Sequence, residues 1–224
     1  MSGARANAGR GAPVLVVATG NAGKLAELRA LLAPLPLRVA GLAEFPPVDL
    51  PEEGDDYAAN AEAKARAAAF ALALPALGDD SGLEVDALGG APGPRSARYG
   101  GPGLADADRT ALLLRELGAR CGDRRARFVC VAALALPDGA VRSARGTCEG
   151  RIGRAPRGAN GFGYDPVFEP DLPGGDAGRT FAELDAAAKD HLSHRGRAVR
   201  ALLPAIRELL VLDGPPQASA ANRS

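Results

Sequence analysis

Two adjacent carboxylates and a hydroxyl, Asp79, Asp80 and Ser81, stand between Gly78 and Gly82 in an otherwise apolar stretch of the chain. Adjacent acids repel each other and gain little from packing, so their co-location is costly unless a hard cation neutralises them. These residues therefore predict a Mg²⁺ site on a glycine-bounded turn. The same residue types are common in solvated surface turns, so the pattern alone leaves that second interpretation open.

A second stretch, near the start of the chain, predicts a site for phosphate. The apolar run Val14 to Ala18 is followed by Thr19-Gly20-Asn21-Ala22-Gly23-Lys24, which is typical of a buried strand that turns into a helix. A helix N-terminus offers free N–H groups and the positive end of the helix dipole, and the lysine adds a mobile charge. The stretch is not a Walker A loop, because its spacing is too short and Leu25 stands where Ser or Thr would hold Mg²⁺. An ordinary strand–turn–helix, with a polar residue as cap, is the alternative.

Two later stretches also carry groups suited to a ligand. The glycine-rich segment Gly158 to Pro166 contains Phe162 and Asp165 and can lay backbone and a ring against a flat molecule. It lacks the glycine pattern of a dinucleotide-binding turn. Lys189 and the run Ser193-His194-Arg195 place three donors ahead of a helix, where they suit a phosphate or a keto oxygen. A plain surface loop and a solvated basic helix start are the alternatives.

The elements around these stretches predict a mixed α/β fold. Leucines at helical spacing after Lys24 predict a first helix, and the alanine-rich segment Tyr57 to Leu74 predicts a second one that ends at Pro75. Phe128 to Leu136 and Val141 to Thr147 flank a Pro-Asp-Gly turn and predict a β-hairpin. We expect one domain over residues 13–213, with mobile tails at 1–12 and 214–224.

Composition narrows the classes of protein. Lys plus Arg equals Asp plus Glu at 27 each, so no overall field attracts nucleic acid or anionic lipid. The three cysteines, Cys121, Cys130 and Cys148, are an odd number without close pairing, which indicates reduced thiols. No apolar run is long enough to span a membrane, and the first residues do not form a signal peptide. We therefore expect a cytoplasmic protein that binds neither nucleic acid nor membrane.

Taken together and in order, these residues resemble the inosine triphosphate pyrophosphatase family, also described as XTP/dITP or non-canonical purine nucleotide pyrophosphatases. The resemblance runs from about Val14 to Leu210. It rests on these motifs: Thr19-Gly20-Asn21-Ala22-Gly23-Lys24, Glu52 with Gly54, Tyr57, Asn60, Ala61 and Lys64, Asp79-Asp80-Ser81-Gly82-Leu83, Leu88-Gly89-Gly90-Ala91-Pro92-Gly93, Ser96-Ala97-Arg98, Gly150-Arg151-Ile152, Gly161-Phe162-Gly163-Tyr164-Asp165-Pro166 and Ser193-His194-Arg195.

The resemblance implies an elongated α/β fold, with a two-lobed mixed sheet, flanking helices and a central nucleotide cleft. It implies an enzyme that requires Mg²⁺ and hydrolyses ITP, dITP and XTP to the monophosphate and pyrophosphate. Such an enzyme removes deaminated purines from the nucleotide pool. The resemblance also implies a homodimer.

The resemblance further assigns roles by position. Asp80 would accept a proton and Lys64 would steady the phosphate charge. The metal ligands would be Glu52, Asp79 and Asp80. The triphosphate would be held by Thr19, Gly20, Asn21, Ala22, Gly23 and Lys24. Sugar and base would be contacted by Ser81, Phe162, Gly163, Tyr164, Asp165, Lys189, His194 and Arg195. Asp190 departs from the family pattern, which has Asn or Ser there.

Two other functions fit parts of this pattern. One is a different nucleotide enzyme, such as a pyrophosphatase for modified pyrimidines or a phosphohydrolase that releases orthophosphate. The other is a non-catalytic nucleotide-binding or RNA-binding module. The balanced charge and the lack of a basic and aromatic surface pattern disfavour RNA.

Overall fold

The computed structural model of the chain describes residues 12–118, 122–171 and 178–210. Cys121 and the predicted tails, apart from Ala12, lie outside these ranges. The strands within them are β1 (Val14–Val17), β2 (Arg38–Gly41), β3 (Ala76–Val85), β4 (Pro92–Gly93), β5 (Arg125–Ala135), β6 (Val141–Ile152) and β7 (Phe168–Pro170). The helices are α1 (Ala22–Leu32), α2 (Tyr57–Leu72), α3 (Asp106–Gly118), α4 (Ala186–Leu192) and α5 (His194–Leu209).

All of these strands belong to one mixed sheet, which confirms the predicted α/β class. The strand order is β2-β1-β3-β5-β6-β7, with β4 paired to β3. β1 runs parallel to β2 and β3, and the other pairs are antiparallel. The predicted hairpin is confirmed as β5 and β6. Within the described ranges, no helix is long and apolar enough to cross a membrane.

The three long strands β3, β5 and β6 extend through two lobes. A strand of 10 residues such as β3 spans about 33 Å at ~3.3 Å per residue. That length is more than one layer of helices covers. In the first lobe, α1 and α5 cover one face of the sheet and the alanine-rich α2 covers the other. In the second lobe, α3 and the segment around Phe168 pack on the far ends of the strands. The same sheet therefore runs through both lobes.

The pair Asp79 and Asp80 lies inside β3 and not on a turn, so that part of the prediction is wrong. Side chains alternate along a strand, and the two carboxylates consequently project from opposite faces of the sheet. The neighbouring Gly78 does not bound a turn either. A Cβ atom built there would lie 2.1 Å from the carbonyl oxygen of Ala61 in α2. The glycine is needed because the helix backbone packs directly against the strand.

The two free cysteines of the described ranges, Cys130 and Cys148, are buried. Burial raises the pKa of the Cys148 thiol to about 11 and that of Cys130 well above its usual value. Both thiols are therefore protonated packing groups in the sheet.

Candidate active site

The cleft opens where the pairing of β3 is interrupted along one edge. On that side β3 pairs with β1 only at Ala76 and Leu77 and with β4 only at Leu83 and Glu84. Between these two pairings, no strand of the described residues pairs with β3 on that side. Side chains from both faces of the sheet reach the same opening, and both Asp80 and Ser81 line it. This gap explains how alternating residues of one strand can contribute to one site.

On the α2 face, Asp80 lies among polar groups from the helix. Asn60 donates from Nδ2 to Asp80 Oδ2 at 2.8 Å, and Lys64 Nζ lies 3.3 Å from Oδ1. Burial raises the pKa of Asp80, and the lysine and the amide only partly oppose that rise. A carboxylate with a raised pKa is a better proton acceptor than a solvated one.

The two consecutive glutamates before α2 occupy different environments. Glu53 Oε1 lies 2.6 Å from Lys64 Nζ and lines the cleft. Burial opposes ionisation of Glu53, but Lys64 outweighs it and holds the pKa of the carboxyl below its usual range. Glu52 is exposed and has no polar partner among the described residues. The structure thus turns Glu53, and not the predicted Glu52, towards the cleft, and the metal role of Glu52 stays a prediction without a supporting contact.

On the opposite face, Asp79 serves as a buried counter-ion. Its Oδ1 lies 2.6 Å from Lys24 Nζ, and its Oδ2 accepts hydrogen bonds from Arg195 Nε at 2.9 Å and from Cys130 Sγ at 3.1 Å. Burial alone would raise the pKa of Asp79, but Arg195 and Lys24 outweigh it and hold the pKa below the usual range. Asp79 is not among the residues that line the cleft, and the metal role assigned to it stays a prediction.

The N-terminus of α1 forms the wall beside this pair. Asn21 caps the helix by accepting from Lys24 N at 3.0 Å, and Thr19 Oγ1 accepts from Asn21 N at 3.1 Å. The capping alternative is therefore confirmed for Asn21. The cap still leaves the first N–H groups of the helix, at Ala22 and Gly23, without an intrahelical acceptor. A phosphate can bind there while the cap is in place.

At the other end of the cleft, Lys189 and Arg195 are held by carboxylates. Lys189 Nζ lies 2.6 Å from Glu27 Oε1 and also contacts Asp165 Oδ2. The Arg195 guanidinium contacts Glu27 and donates from Nη2 to Ser81 Oγ at 2.9 Å. Glu27 was not predicted as a site residue, yet it fixes both donors. The ring of Phe162 packs under the lysine, with Nζ 4.9 Å from the ring centroid.

His194 forms part of the floor of the cleft. Its ring stacks on Phe128 with a centroid distance of 4.6 Å, and its buried Nδ1 has no hydrogen-bond partner among the described residues. Burial, reinforced by Arg195 and Lys189, holds the pKa of His194 well below its usual value. The imidazole is therefore neutral at physiological pH.

Most of the predicted site residues lie in this single cleft. Those that line it are Asn21, Lys24, Asp80, Ser81, Phe162, Gly163, Tyr164, Asp165, Lys189, His194 and Arg195. Thr19 and Gly20 precede α1, and Ala22 and Gly23 form its first turn, beside the lining residues Asn21 and Lys24. Lys64 contacts the cleft through Asp80 and Glu53. The sequence interpretation missed Glu27, Glu53, Asp106, Arg109 and Phe128. The spacing of Glu27, three residues after Lys24 on a helix, was the one available signal.

The carboxylates of the cleft fit a divalent cation that is shared with a substrate. No group of three or more His, Cys, Asp or Glu side chains within the described ranges could hold a metal by itself. Mg²⁺ is commonly bound by one or two carboxylates together with substrate phosphates. Asp80 and Glu53, which share Lys64, supply that number.

Sequence comparisons show which family and which proteins the chain is similar to. The profile of the Ham1 family matches residues 15–205. A dITP/XTP pyrophosphatase of Thermus thermophilus is 50% identical over 203 residues, covering 90% of this chain and 93% of that protein. One of Streptomyces coelicolor is 48% identical over 200 residues, covering 88% and 98%.

Solved structures share the fold. A HAM1 protein from Coxiella burnetii superposes with a TM-score of 0.77 at 43% identity, over 88% of this chain and 99% of that one. A nucleoside-triphosphatase, dITP/XTP pyrophosphatase, from Mycobacterium abscessus superposes with a TM-score of 0.65 at 44% identity, over 85% and 99%.

Proposed function

The chain belongs to the Ham1 family, and from that premise we propose that it is a nucleoside triphosphate pyrophosphatase, a hydrolase of acid anhydrides. Its substrates are the non-canonical purine nucleotides ITP, dITP and XTP, which it hydrolyses to the monophosphate and pyrophosphate. The reaction depends on Mg²⁺. The observation that carries the proposal is the convergence, at one gap in the sheet edge, of a proton-accepting carboxylate, a helix N-terminus and a cluster of buried donors.

Asp80 orients and deprotonates the attacking water. Its raised pKa comes from burial, and Asn60 fixes one oxygen through the 2.8 Å hydrogen bond, so the carboxylate has a defined direction in the cleft. Attack on the α-phosphorus then needs the water on the Asp80 side and the pyrophosphate leaving on the opposite side. No Ser, Cys or His in the cleft is paired with a base in a way that suggests a covalent intermediate.

Positive groups face the charge that develops on the phosphates. Lys24 at the start of α1 and Lys64 on α2 lie on the two sides of β3, and the first turn of α1 adds its N–H groups. Groups that are already oriented stabilise a transition state without reorganisation. Mg²⁺ held by Asp80 and Glu53 would neutralise part of the phosphate charge.

Base selection follows from the donors at the far end. Lys189 and Arg195 are held by Glu27, so their remaining N–H groups have fixed directions. A 6-keto purine offers an acceptor to such donors, whereas the 6-amino group of adenine presents another donor. Mismatched buried donors discriminate strongly between substrates.

Turnover of a nucleotide panel tests the proposal. ITP, dITP, XTP, dATP, dGTP and a modified pyrimidine nucleoside triphosphate are incubated with Mg²⁺, and pyrophosphate and orthophosphate are measured separately, with a chelator control. We expect pyrophosphate from the first three only, and none with chelator. Orthophosphate as the product, or turnover of modified pyrimidine nucleotides alone, would replace the proposal with another nucleotide hydrolase.

We extend the proposal to assembly and location: the protein acts as a homodimer in the cytoplasm. Light scattering after size-exclusion chromatography measures the mass, and a monomer mass at micromolar concentration would contradict the dimer.

A further inference from the structure

Arg109 is a buried cation of the cleft that the sequence interpretation does not use. It lies on α3, is 7% exposed and lines the opening. Its Nη1 donates to the carbonyl of Tyr99 at 2.8 Å and its Nη2 to that of Leu104 at 2.7 Å. Its Nε is buried and has no hydrogen-bond partner among the described residues.

The charge of Arg109 distinguishes it from the other basic groups of the site. Each of the other basic side chains has at least one carboxylate partner. These side chains are Lys24, Lys64, Lys189 and Arg195. Arg109 contacts only backbone carbonyls, and no carboxylate of the described residues pairs with it. An unpaired buried charge is costly unless a partner of opposite sign arrives. The structure therefore keeps one positive charge available to a ligand.

The position of Arg109 indicates which part of a bound nucleotide it would contact. Its helix neighbours hold Gly163 by both backbone groups: Asp106 Oδ2 accepts from Gly163 N at 2.9 Å, and Thr110 Oγ1 donates to Gly163 O at 3.3 Å. Gly163 belongs to the loop that carries Phe162 and Asp165, beside Lys189 and Arg195. Arg109 thus lies at the base-reading end of the cleft. The phosphate-facing lysines, Lys24 and Lys64, lie on the first-lobe elements α1 and α2.

We propose that Arg109 is a specificity-determining residue that favours xanthine over hypoxanthine by pairing its free charge with the anionic form of the base. This inference rests on the proposed function. Xanthine has a second carbonyl, at C2, which makes a ring N–H acidic enough to be largely ionised at neutral pH. Hypoxanthine, adenine and guanine are neutral there. Of these bases, xanthine is the one that offers a negative charge to this arginine.

The test compares kcat/KM for XTP and ITP in three proteins: wild type, Arg109→Gln and Arg109→Lys. An opposite charge close to an ionised group favours the charged form by about one pKa unit or more, which is roughly 10-fold in relative affinity. We expect the XTP to ITP ratio to fall roughly 10-fold in the glutamine variant. The lysine variant should keep most of the XTP to ITP ratio, because it keeps the positive charge. It loses only the two hydrogen bonds to the carbonyls of Tyr99 and Leu104.

Arg124→Gln is the matched control. That arginine also donates to two backbone carbonyls, those of Ile152 and Gly153, but it lies away from the cleft. Its replacement should leave the XTP to ITP ratio unchanged. An unchanged ratio in Arg109→Gln, or an equal fall in Arg109→Lys, would overturn the proposal and leave Arg109 as an anchor of the 99–104 segment.

Binding of the products gives a readout that does not require turnover. The affinities of xanthosine and inosine monophosphate, measured by calorimetry, should show the same change of ratio. If Arg109→Gln does not fold, Arg109→Met keeps the aliphatic stem and carries the same comparison. Wild-type protein that hydrolyses neither XTP nor ITP would contradict the proposed function itself, whereas normal ITP turnover with an unaltered ratio contradicts only this inference.

Discussion

At the residue scale, Asp79 and Asp80 differ because they face opposite sides of one strand. Asp79 is enclosed and paired with Arg195 and Lys24, and its pKa is held below the usual range. Asp80 borders the cleft and its pKa is raised by burial. The first of these carboxylates is suited to hold cations in place and the second to accept a proton.

Replacing Asp80 by Asn should remove the proton acceptor while keeping the shape of the side chain. We expect kcat for ITP to fall by roughly 10²-fold or more. Binding should be less affected, because α1 and the base-reading donors remain, and ITP should still raise the unfolding temperature of the variant. Asp49→Asn, at an exposed position, is the control. Near-wild-type kcat at saturating Mg²⁺ would move the catalytic role to Glu53, the next carboxylate in the cleft.

Replacing Lys189 by Ala should reduce discrimination against ATP. The lysine contacts Glu27 and Asp165 and keeps a further N–H for the base. We expect kcat/KM to fall more for ITP than for ATP, so that the ratio between them narrows. Equal losses for both nucleotides would indicate a phosphate contact instead.

Replacing Arg195 by Ala should lower stability as well as activity. Asp79 and Glu27 would each lose a buried partner. Removal of one member of a buried ion pair costs about 3 kcal/mol or more of unfolding free energy. Denaturant unfolding measures this loss. In the Arg195→Ala background, adding Asp79→Asn should recover part of it, and a further additive loss would contradict the counter-ion role.

At the element scale, the packing of α1 against the 161–166 loop couples the phosphate site to the base site. A Cβ atom on Gly23 would lie 2.5 Å from Cδ1 of Phe162, so the ring rests directly on the helix. The same ring contacts Lys189 and Arg195 on α4 and α5. The absence of a side chain at Gly23 therefore allows α1, the 161–166 loop, α4 and α5 to meet.

Gly23→Ala should displace the Phe162 ring without weakening the helix. Alanine is favoured over glycine within a helix, so the unfolding temperature should not fall. Misplacement of the ring should raise KM for ITP by roughly 10-fold. Gly118→Ala, where an added Cβ meets no atom within 4 Å, is the control for KM. An unchanged KM in Gly23→Ala would show that the ring position does not matter for binding.

At the scale of the whole molecule, the cleft depends on buried ionisable groups from both lobes. Burial and the neighbouring Arg195 and Lys189 hold the pKa of His194 well below its usual value. The usual value is about 6.5. Below that pH the His194 side chain binds a proton in the unfolded chain but not in the folded protein, so acid favours unfolding.

Stability should therefore decline as pH falls below about 6.5, and decline further below about pH 4, where the unfolded chain protonates carboxylates. Asp79 and Glu27 contribute to the second step, because the folded protein holds the pKa of both below the usual range. Unfolding temperatures across this range measure both steps. The His194→Phe variant should not show the loss of stability that begins below about pH 6.5. The His191→Phe variant, which is changed at an exposed position, should still show it. A first step that survives in His194→Phe would assign it to another group.

The sequence by itself determined the local elements and the order of the motifs. The predicted hairpin of β5 and β6 follows its turn, and Asn21, in the polar stretch before the first predicted helix, caps α1. These features depend on residues within a few positions of each other, so their physical causes are visible in the chain. The family resemblance and the α/β class rest on the order of the motifs and elements along the chain, and both are confirmed.

The tertiary structure alone decided which side chains meet. The pattern of Asp79 and Asp80 does not show that they lie on a strand with opposite faces, nor does it show which glutamate turns towards Lys64. The roles of Glu27 and Arg109 depend on elements more than 50 residues away along the chain. The physical reason is that burial, and hence the charge and pKa of a group, is set by which faces of distant elements pack together.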